Sequence, residues 1–243
     1  MKLFYSPFSS MIHKSLVAAY EAGVHEQIEY VATFPYRNND GVDVAGQYSI
    51  AAINPLDKVP TLALDDGMVL YNSQVIIEYL DSLRRDGKTL FPKTGRHRWD
   101  ALRRLALADT IFELTTVMVI EGWNPEEKRR ISVYEAIWAK SIRGLDVLDA
   151  ACAAGLPEFD AGQVGMLQAI SYIDFRGKFY LDGDPVHPGF DWRKGRKHLE
   201  KWYEETIQRP SVTWRFNVDF EGDRSAANLH RHVDEVLRAQ KAK

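Results

Sequence analysis

The chain has 243 residues, and its 31 basic and 34 acidic side chains give a formal net charge of −3. This balance, with no block of like charge, argues against a nucleic-acid-binding protein, and no apolar run approaches the ~18 residues of a membrane-spanning helix. Cys152 is the only cysteine, so an internal disulfide bond is impossible. Because the N-terminus also lacks the apolar stretch of a signal peptide, we expect a cytoplasmic protein.

The N-terminal part of the chain alternates strand and helix patterns. The apolar segment Lys2–Tyr5 predicts a short strand. The pair Ser9-Ser10 then leads into a helical pattern that ends at Gly23, a residue type that is common just after a helix. Gln27–Ala32 follows with the alternation of a second strand. This order predicts a βαβ unit at the start of the chain.

A hairpin and a helix are predicted to follow this unit. Pro60 has no N–H for a β-ladder, so we expect it at the start of a strand, and its bond to Val59 can take the cis form cheaply. Asp65-Asp66-Gly67 is a typical hairpin turn between the two apolar runs on either side of it. The periodic apolar residues that come next predict a helix over Asn72–Arg84, with Asn72 or Ser73 as its N-cap.

These features together predict a site for a small acidic peptide. A cis bond before Pro60 would turn the backbone of Val59 outward and leave its N–H and C=O free to pair with an extended peptide. The helix that begins after Asn72-Ser73 offers unpaired N–H groups and the positive end of its dipole, which suit a carboxylate.

The second part of the chain is predicted to be all-helical. Residues 85–95, with Arg85-Asp86-Gly87 and Phe91-Pro92, are typical of a linker. The predicted helices are a long one from about Arg96, one over Glu126–Ala153, one after the capping-box spacing Asp160–Gln163, and one over Trp192–Gln208 that ends before Pro210. The fold class is therefore α/β plus all-α, with a thioredoxin-like N-terminal domain followed by an all-helical C-terminal domain.

In order and spacing, these elements resemble the glutathione S-transferase superfamily. The resemblance rests on KLFYSPFSSMIHKSLVAAYEAG, NPLDKVPTL and LYNSQVIIEYL, and further on VGMLQAISYIDFR and DWRKGRKHLEKWYEETIQRPSV, so it covers nearly the whole chain. It implies that residues 1–84 bind glutathione, that residues 96–243 form the helical substrate-binding domain, and that the protein is a homodimer.

Glutathione must be activated before it can react. Its thiol has a pKa near ~8.5, so only a small fraction is thiolate at neutral pH, and lowering that pKa by ~2 units requires roughly 2.7 kcal/mol of preference for the thiolate. A serine hydroxyl at the start of the first helix can supply a hydrogen bond and benefit from the dipole. Pro7-Phe8-Ser9 is similar to the Pro-x-Ser context of the serine-type members, four residues ahead of His13. Ser9 is therefore the predicted catalytic residue, with Ser10 in reserve.

Two other interpretations of this segment remain open. The local residues alone are more typical of an N-cap serine, and only the surrounding resemblance favours a role at the thiol. Some classes of the family use a tyrosine near the end of the first strand, where Tyr5 stands, but Tyr5 fits the core pattern of the strand better. Since this loop has no cysteine, a glutaredoxin-like disulfide mechanism is not expected.

The resemblance also assigns the glutathione-binding residues. It places Val59 on the cysteinyl backbone, Lys58 near the glycyl carboxylate and Ser73 on the γ-glutamyl carboxylate. The predicted set is Ser10, Lys58, Val59, Pro60, Asn72 and Ser73.

Two residues at the predicted glutathione site, Asn72 and Asp57, depart from the family pattern. Asn72 stands where members commonly have Glu or Asp to pair with the γ-glutamyl ammonium, so it keeps a hydrogen bond and loses the charge. Asp57 stands where bacterial members often have Gly, and it adds a negative charge near an anionic ligand. Both changes would weaken glutathione binding or favour another ligand.

The hydrophobic electrophile is expected between the domains, against apolar side chains; the candidates are Phe8, Met11, Ile111, Phe112 and Trp123. No metal site is expected, because the seven histidines are scattered and His230-x-His232 falls on a charged terminal helix. The chain also lacks nucleotide-binding and nucleophile-elbow motifs.

The predicted function is attack of a serine-stabilised glutathione thiolate on an electrophilic carbon, the reaction of a detoxifying transferase. Two alternatives stay open: a non-catalytic member that binds glutathione or a peptide, and a specialised glutathione-dependent isomerase, dehalogenase or ether-cleaving enzyme.

Overall fold

The computed structural model describes residues 1–6, 9–33, 50–122, 124, 126–180 and 191–218. The predicted loop at residues 33–53 lies largely outside these ranges, and the predicted charged terminal helix with His230 and His232 lies wholly outside them. The contacts divide the chain into two units, one of Met1–Lys88 with the segment from Pro210, and one of Thr89–Arg209. Within the described ranges, no helix has the length and apolarity that crossing a membrane requires.

The first unit is built on a mixed four-stranded sheet. Its strands are β1 (Lys2–Tyr5), β2 (Glu29–Ala32), β3 (Thr61–Ala63) and β4 (Val69–Tyr71). They lie in the order β2-β1-β3-β4, with β2 parallel to β1, β3 antiparallel to β1 and β4 antiparallel to β3. Leu3 and Leu62 face each other in the register of the two central strands, and both are fully buried.

Two helices of this unit follow the sequence pattern closely. α1 (Ile12–Glu21) is buried along most of its length and packs against α2 (Ser73–Ser82). α1 ends before Gly23, whose φ of +71° only glycine adopts freely. The βαβ start, the hairpin and the following helix confirm the predicted thioredoxin-like arrangement.

The described residues of the second unit form four α-helices and no strand. The helices are α3 (Gly95–Gly122), α4 (Ile131–Ala154), α5 (Ala161–Tyr180) and α6 (Lys197–Thr206). Every residue over 161–170 is buried, so the first half of α5 is enclosed within this unit. A Cβ added at Gly165 would lie 2.7 Å from Leu105 Cδ1, so the absence of a side chain there lets α3 and α5 approach closely.

The N-terminus of α5 has the predicted cap, with one change. Asp160 Oδ1 accepts a hydrogen bond from the Gln163 N–H at 3.0 Å, and the Asp160 carboxylate also contacts Arg104. The Gln163 amide does not return to the cap residue as in a capping box. It donates instead to the carbonyls of Pro157 and Glu158, which ties the preceding loop to the helix.

Several predicted helix ends need correction. The helix predicted from Glu126 begins at Ile131, because Glu126–Lys128 forms a separate 3₁₀ turn. The helix predicted over Trp192–Gln208 covers only Lys197–Thr206. Pro210, expected only to end that helix, opens a further one, α7 (Pro210–Val218), because the missing N–H of proline costs nothing in the first helical turn.

α7 packs against the first unit. Ser211 Oγ donates to Glu21 Oε1 at 2.6 Å, and the ring of Trp214 lies 4.7 Å from the His25 ring in an edge-on arrangement. The predicted boundaries of 1–84 and 96–243 would place α7 in the helical domain. The boundary between the contact units falls at Lys88–Thr89, inside the predicted linker, and α7 groups with the first unit.

Among the described residues of the connection between α3 and α4, an ion pair is present that should respond to acid. The backbone N–H and guanidinium of Arg130 donate to the Glu121 carboxylate at 2.8–3.1 Å and lower the pKa of Glu121 to about 2. Because this pKa lies below the unfolded value, the stabilisation is complete above about pH 4.5 and is lost as the pH falls towards 2.

We therefore expect the wild type to have a higher free energy of unfolding than Glu121→Gln at neutral pH, and this difference to decrease as the pH falls from 4.5 to 2. Urea unfolding of both proteins at pH 7, 4 and 3 measures this difference. A constant difference across the series would mean that the carboxylate charge does not contribute.

Candidate peptide-binding site

Three segments of the predicted site leave the sheet at the same end. Phe4 pairs with Thr61 across β1 and β3, and Thr61 pairs with Tyr71 across β3 and β4. The chain after β1, the chain before β3 and the chain after β4 are therefore neighbours at this end. These segments carry Ser9, Val59 and Ser73 respectively, so the topology brings together the predicted thiol, backbone and carboxylate contacts.

One buried side chain organises the loop before β3. Asn54, which is 1% exposed, donates from Nδ2 to the Lys58 carbonyl at 2.8 Å and to Thr61 Oγ1 at 2.9 Å. Its Oδ1 accepts from the Leu56 N–H at 3.0 Å. The Thr61 hydroxyl donates to the same Lys58 carbonyl. The loop is thus fixed from the inside immediately before Val59.

The loop presents the backbone of Val59. The Val59–Pro60 bond is cis, as predicted, and Pro60 is buried where it leads into β3. Among the described residues, neither the N–H nor the C=O of Val59 has a hydrogen-bond partner. The Lys58 side chain is exposed beside it. An extended peptide could therefore pair with this residue as with an edge strand.

The Asp57 carboxylate accepts a hydrogen bond from within the loop before β3. The φ of Asp57 is +47°, in the left-handed region that glycine adopts most easily. Its Oδ1 accepts from the Ile50 N–H at 2.8 Å, which fixes the start of the loop. The carboxylate therefore has a structural partner inside the loop.

The start of α2 offers hydrogen-bond donors. Asn72 is the N-cap, with φ of +75°, and its Oδ1 accepts from the Gln74 N–H at 2.9 Å. Ser73 is only 4% exposed, and among the described residues its hydroxyl has no hydrogen-bond partner. With the unpaired N–H groups of the first turn, this hydroxyl forms a seat suited to a carboxylate.

The two candidate serines differ in accessibility. Ser9 is half-buried, and its Oγ accepts from the Met11 N–H at 3.3 Å, so the hydroxyl proton remains available for donation. Ser10 is 6% exposed, and its carbonyl accepts from the His13 N–H. Neither serine is the N-cap of α1; that position is Met11, which has no side-chain cap bond.

Two further side chains, Tyr5 and Cys152, bear on which group activates or acts as a nucleophile. Tyr5 is the half-buried last residue of β1, and its carbonyl accepts from the Thr33 N–H at 2.7 Å. Cys152 lies on α4 of the second unit, where burial and then the charge of Asp149 raise the pKa of its thiol to about 12. This thiol stays protonated at neutral pH and is a poor nucleophile.

The described candidates for the electrophile pocket fall in both units. Ile111 is 1% exposed, and a Cβ at Gly144 would touch its Cδ1, so it packs between α3 and α4. Phe112 is buried with its ring centroid 4.6 Å from that of Tyr172. Met11 is half-buried at the start of α1. Phe8 and Trp123 lie outside the described residues. Ile111 and Phe112 therefore present little surface to a ligand.

Sequence analysis missed Asn54 and Thr61, although both fall in the quoted NPLDKVPTL segment. The Asn-Pro pair signals a turn, but the buried hydrogen bonds across the loop depend on the cis bond and on the start of β3. No group of metal-ligating side chains occurs among the described residues.

Removing the Asn54 amide should destabilise the protein. Asn54→Ala leaves the Leu56 N–H without its acceptor, whereas the Lys58 carbonyl keeps the hydrogen bond from Thr61, and an unsatisfied buried group costs about 1–3 kcal/mol. We expect the free energy of unfolding to fall by about 1–3 kcal/mol in urea titrations. Asn124→Ala, at an exposed asparagine of the second unit, is the matched control and should change stability by less than about 1 kcal/mol. A loss below 1 kcal/mol in Asn54→Ala would contradict the organising role.

Comparisons with known proteins give a consistent family. The sequence model of the protein family described as "Glutathione S-transferase, N-terminal domain" matches residues 5–83. A glutathione transferase family member from Pseudomonas fluorescens Pf-5, solved with bound glutathione, is 33% identical with a TM-score of 0.74, over 87% of this chain and 96% of that one. Another structure from the same organism, with bound S-(propanoic acid)-glutathione, is 31% identical with a TM-score of 0.71, over 88% and 97% of the two chains. YibF of Escherichia coli K12, an uncharacterised GST-like protein, is 28% identical over 214 residues, which are 87% of this chain and 96% of YibF.

Proposed function

The chain belongs to the glutathione transferase family, and we propose that it binds glutathione at the sheet end and transfers its thiol to an electrophilic small molecule. The observation that carries the proposal is the convergence of an open Val59 backbone, a donor seat at Ser73 and an accessible Ser9 hydroxyl. Related structures at 33% and 31% identity contain glutathione and a glutathione thioether, which supports both the ligand and the chemistry.

In the proposed complex, glutathione lies extended across the three segments. Its cysteinyl N–H and C=O pair with the Val59 backbone, which has no other partner among the described residues. Its γ-glutamyl carboxylate accepts from the Ser73 hydroxyl and the first-turn N–H groups of α2. The exposed Lys58 ammonium lies on the loop that would face the glycyl carboxylate. Each carboxylate of the peptide thus meets donors.

Ser9 is proposed to activate the thiol. Since its Oγ already accepts the Met11 N–H, its own proton can be donated to the sulfur, and this hydrogen bond favours the thiolate over the thiol. The thiol proton passes to solvent. With a halide, the thiolate electron pair then forms a carbon–sulfur bond, and the halide departs with the electrons of the bond that breaks. With an α,β-unsaturated carbonyl compound, the same attack moves the π electrons to the carbonyl oxygen, and the resulting enolate takes a proton from solvent. The negatively charged sulfur of the thiolate thus becomes the uncharged sulfur of a thioether.

Steady-state turnover against several electrophile classes tests this proposal. An aryl halide, an alkyl halide and an α,β-unsaturated carbonyl compound should be assayed with glutathione. We expect enzyme-dependent thioether formation with at least one class. Binding of glutathione without turnover of any class would favour a binding module, the alternative supported by the uncharged Asn72 at the carboxylate seat.

We further propose that the protein forms a homodimer through the β4–α2 face. Met68, Tyr71 and Val75 are large apolar residues of this face, and each is 43–58% exposed. β4 is also the outer strand of the sheet, with one side unpaired among the described strands. Exposed apolar groups next to a sheet edge are typical of an interaction surface.

A charge placed on this face should weaken the dimer. Burying an unpaired carboxylate is unfavourable, so Val75→Asp should raise the dimer dissociation constant about tenfold or more. Light scattering coupled to gel filtration over a dilution series measures this change. Val147→Asp, at an exposed valine of the second unit, is the matched control. A wild-type chain that is monomeric at all concentrations would refute the dimer.

A further inference from the structure

The peptide group between Lys58 and Val59 is held from the inside of the loop before β3. Its carbonyl oxygen accepts two hydrogen bonds, one from Asn54 Nδ2 and one from Thr61 Oγ1, each at 2.8 Å. Both donors belong to buried side chains, since Asn54 is 1% exposed and Thr61 is fully buried. A carbonyl oxygen has two lone pairs. Both are therefore engaged, and the peptide plane cannot turn without breaking these bonds.

The two donors also support each other. The second N–H of the Asn54 amide donates to Thr61 Oγ1 at 2.9 Å, so the Thr61 proton is directed to the Lys58 carbonyl. Asn54 Oδ1 accepts from the Leu56 N–H at 3.0 Å, which fixes the amide in this orientation. Linked hydrogen bonds polarise one another. The Thr61 hydroxyl thus connects the buried amide to the peptide group.

This arrangement determines the direction of the Val59 N–H. The Lys58–Val59 bond is trans, and in a planar trans peptide the N–H and the C=O point in opposite directions. Because the Lys58 carbonyl points to the buried side chains, the Val59 N–H points away from them. Two hydrogen bonds to the carbonyl also polarise the N–H and make it a stronger donor. The Val59 N–H is therefore oriented before any ligand binds.

We propose that Thr61 and Asn54 are positioning residues for glutathione, which direct the Val59 N–H to the cysteinyl carbonyl of the ligand. Because both side chains are at most 1% exposed, they act on the ligand only through the peptide group. This inference rests on the proposed function, since it assumes that glutathione lies at the sheet end. It assigns part of the ligand affinity to a buried hydroxyl and leaves the activation of the thiol to Ser9.

Thr61→Val tests the hydroxyl, because valine keeps the branched shape that suits a strand. The Lys58 carbonyl then loses one of its two donors. We expect the dissociation constant for glutathione to rise about threefold to tenfold, the range of one hydrogen bond, while the thiolate fraction of the saturated complex stays as in the wild type. Thr61→Ser, which keeps the hydroxyl, is the matched control and should bind glutathione within about twofold of the wild type.

A second ligand separates positioning from a general loosening of the loop. γ-Glutamylcysteamine has the thiol and the γ-glutamyl carboxylate of glutathione but no cysteinyl carbonyl, so nothing in it accepts from the Val59 N–H. We expect Thr61→Val to bind this ligand as tightly as the wild type does. Weakening of both ligands by the same factor would overturn the inference, because the hydroxyl would then only maintain the loop.

Calorimetric titration of the full chain with both ligands gives these dissociation constants. Unchanged glutathione binding in Thr61→Val would overturn the inference and leave the proposed function standing. If the wild type does not bind glutathione, the proposed function itself fails. If Thr61→Val does not fold, Asn54→Ala gives the same comparison, because it removes the other donor to the Lys58 carbonyl.

Discussion

Replacement of Ser9 by alanine should reduce kcat/KM for thiol transfer by about 10- to 100-fold while the dissociation constant for glutathione changes little. The hydroxyl donates to the sulfur, so its loss returns the pKa of the bound thiol towards ~8.5 and removes most of the thiolate at neutral pH. A shift of two units alters the thiolate population by more than tenfold, although a less acidic thiol is intrinsically a somewhat better nucleophile. Turnover and binding measured on the same preparation separate these quantities.

Three variants keep the Ser9 assignment falsifiable. Ser82→Ala, at an exposed serine on α2, is a matched control and should leave turnover unchanged. If Ser10→Ala gives the loss instead, the catalytic hydroxyl is the next residue along. If activity falls only in Tyr5→Phe, the serine mechanism is wrong, and the tyrosine near the end of β1 activates the thiol.

Replacement of Asp160 by alanine should produce the largest loss of stability. The change removes the cap of α5 and leaves the Arg104 guanidinium buried without its carboxylate. Breaking a buried pair on one side costs about 3–5 kcal/mol, and loss of an N-cap adds about 1 kcal/mol. We expect the free energy of unfolding to fall by at least about 3 kcal/mol in urea, or the protein to fail to fold.

Asp160→Asn separates the two contributions. It keeps an oxygen for the Gln163 N–H and removes only the charge that faces Arg104. Its loss should be smaller than that of Asp160→Ala by about the contribution of the cap. Asp66→Ala, at an exposed turn aspartate, is the control and should change stability by less than about 1 kcal/mol. A loss below 1 kcal/mol in Asp160→Ala would refute the role of this pair.

The parts of the site that could be predicted are those that local chemistry determines. Pro60 lacks an N–H, which predicted both the strand start and the possibility of the cis bond. The Asp65-Asp66-Gly67 turn fixed the hairpin, and the Asn72-Ser73 pair marked the start of α2. Each of these signals depends only on residues that are close together in the chain, so the sequence was sufficient to place the strand start, the turn and the helix start.

The parts that could not be predicted depend on residues far apart in the chain. α7 reaches Glu21 through Ser211, a hydrogen bond between residues 190 positions apart. Periodicity alone cannot show which unit such a helix contacts. Similarly, the Asn54 hydrogen bonds require the loop to close on Thr61, and the engaged oxygen of Asn72 depends on its cap geometry. Tertiary contacts, and not propensity, decide these features.

Titration of the purified full chain with glutathione, with the thiolate absorbance followed in parallel, tests the central claim most directly. We expect binding at neutral pH with thiolate present in the wild type, and binding with the thiolate signal lost in Ser9→Ala. Binding without thiolate in the wild type would leave a binding module and contradict the activation mechanism. No binding at all would contradict the assignment of the sheet end as a glutathione site.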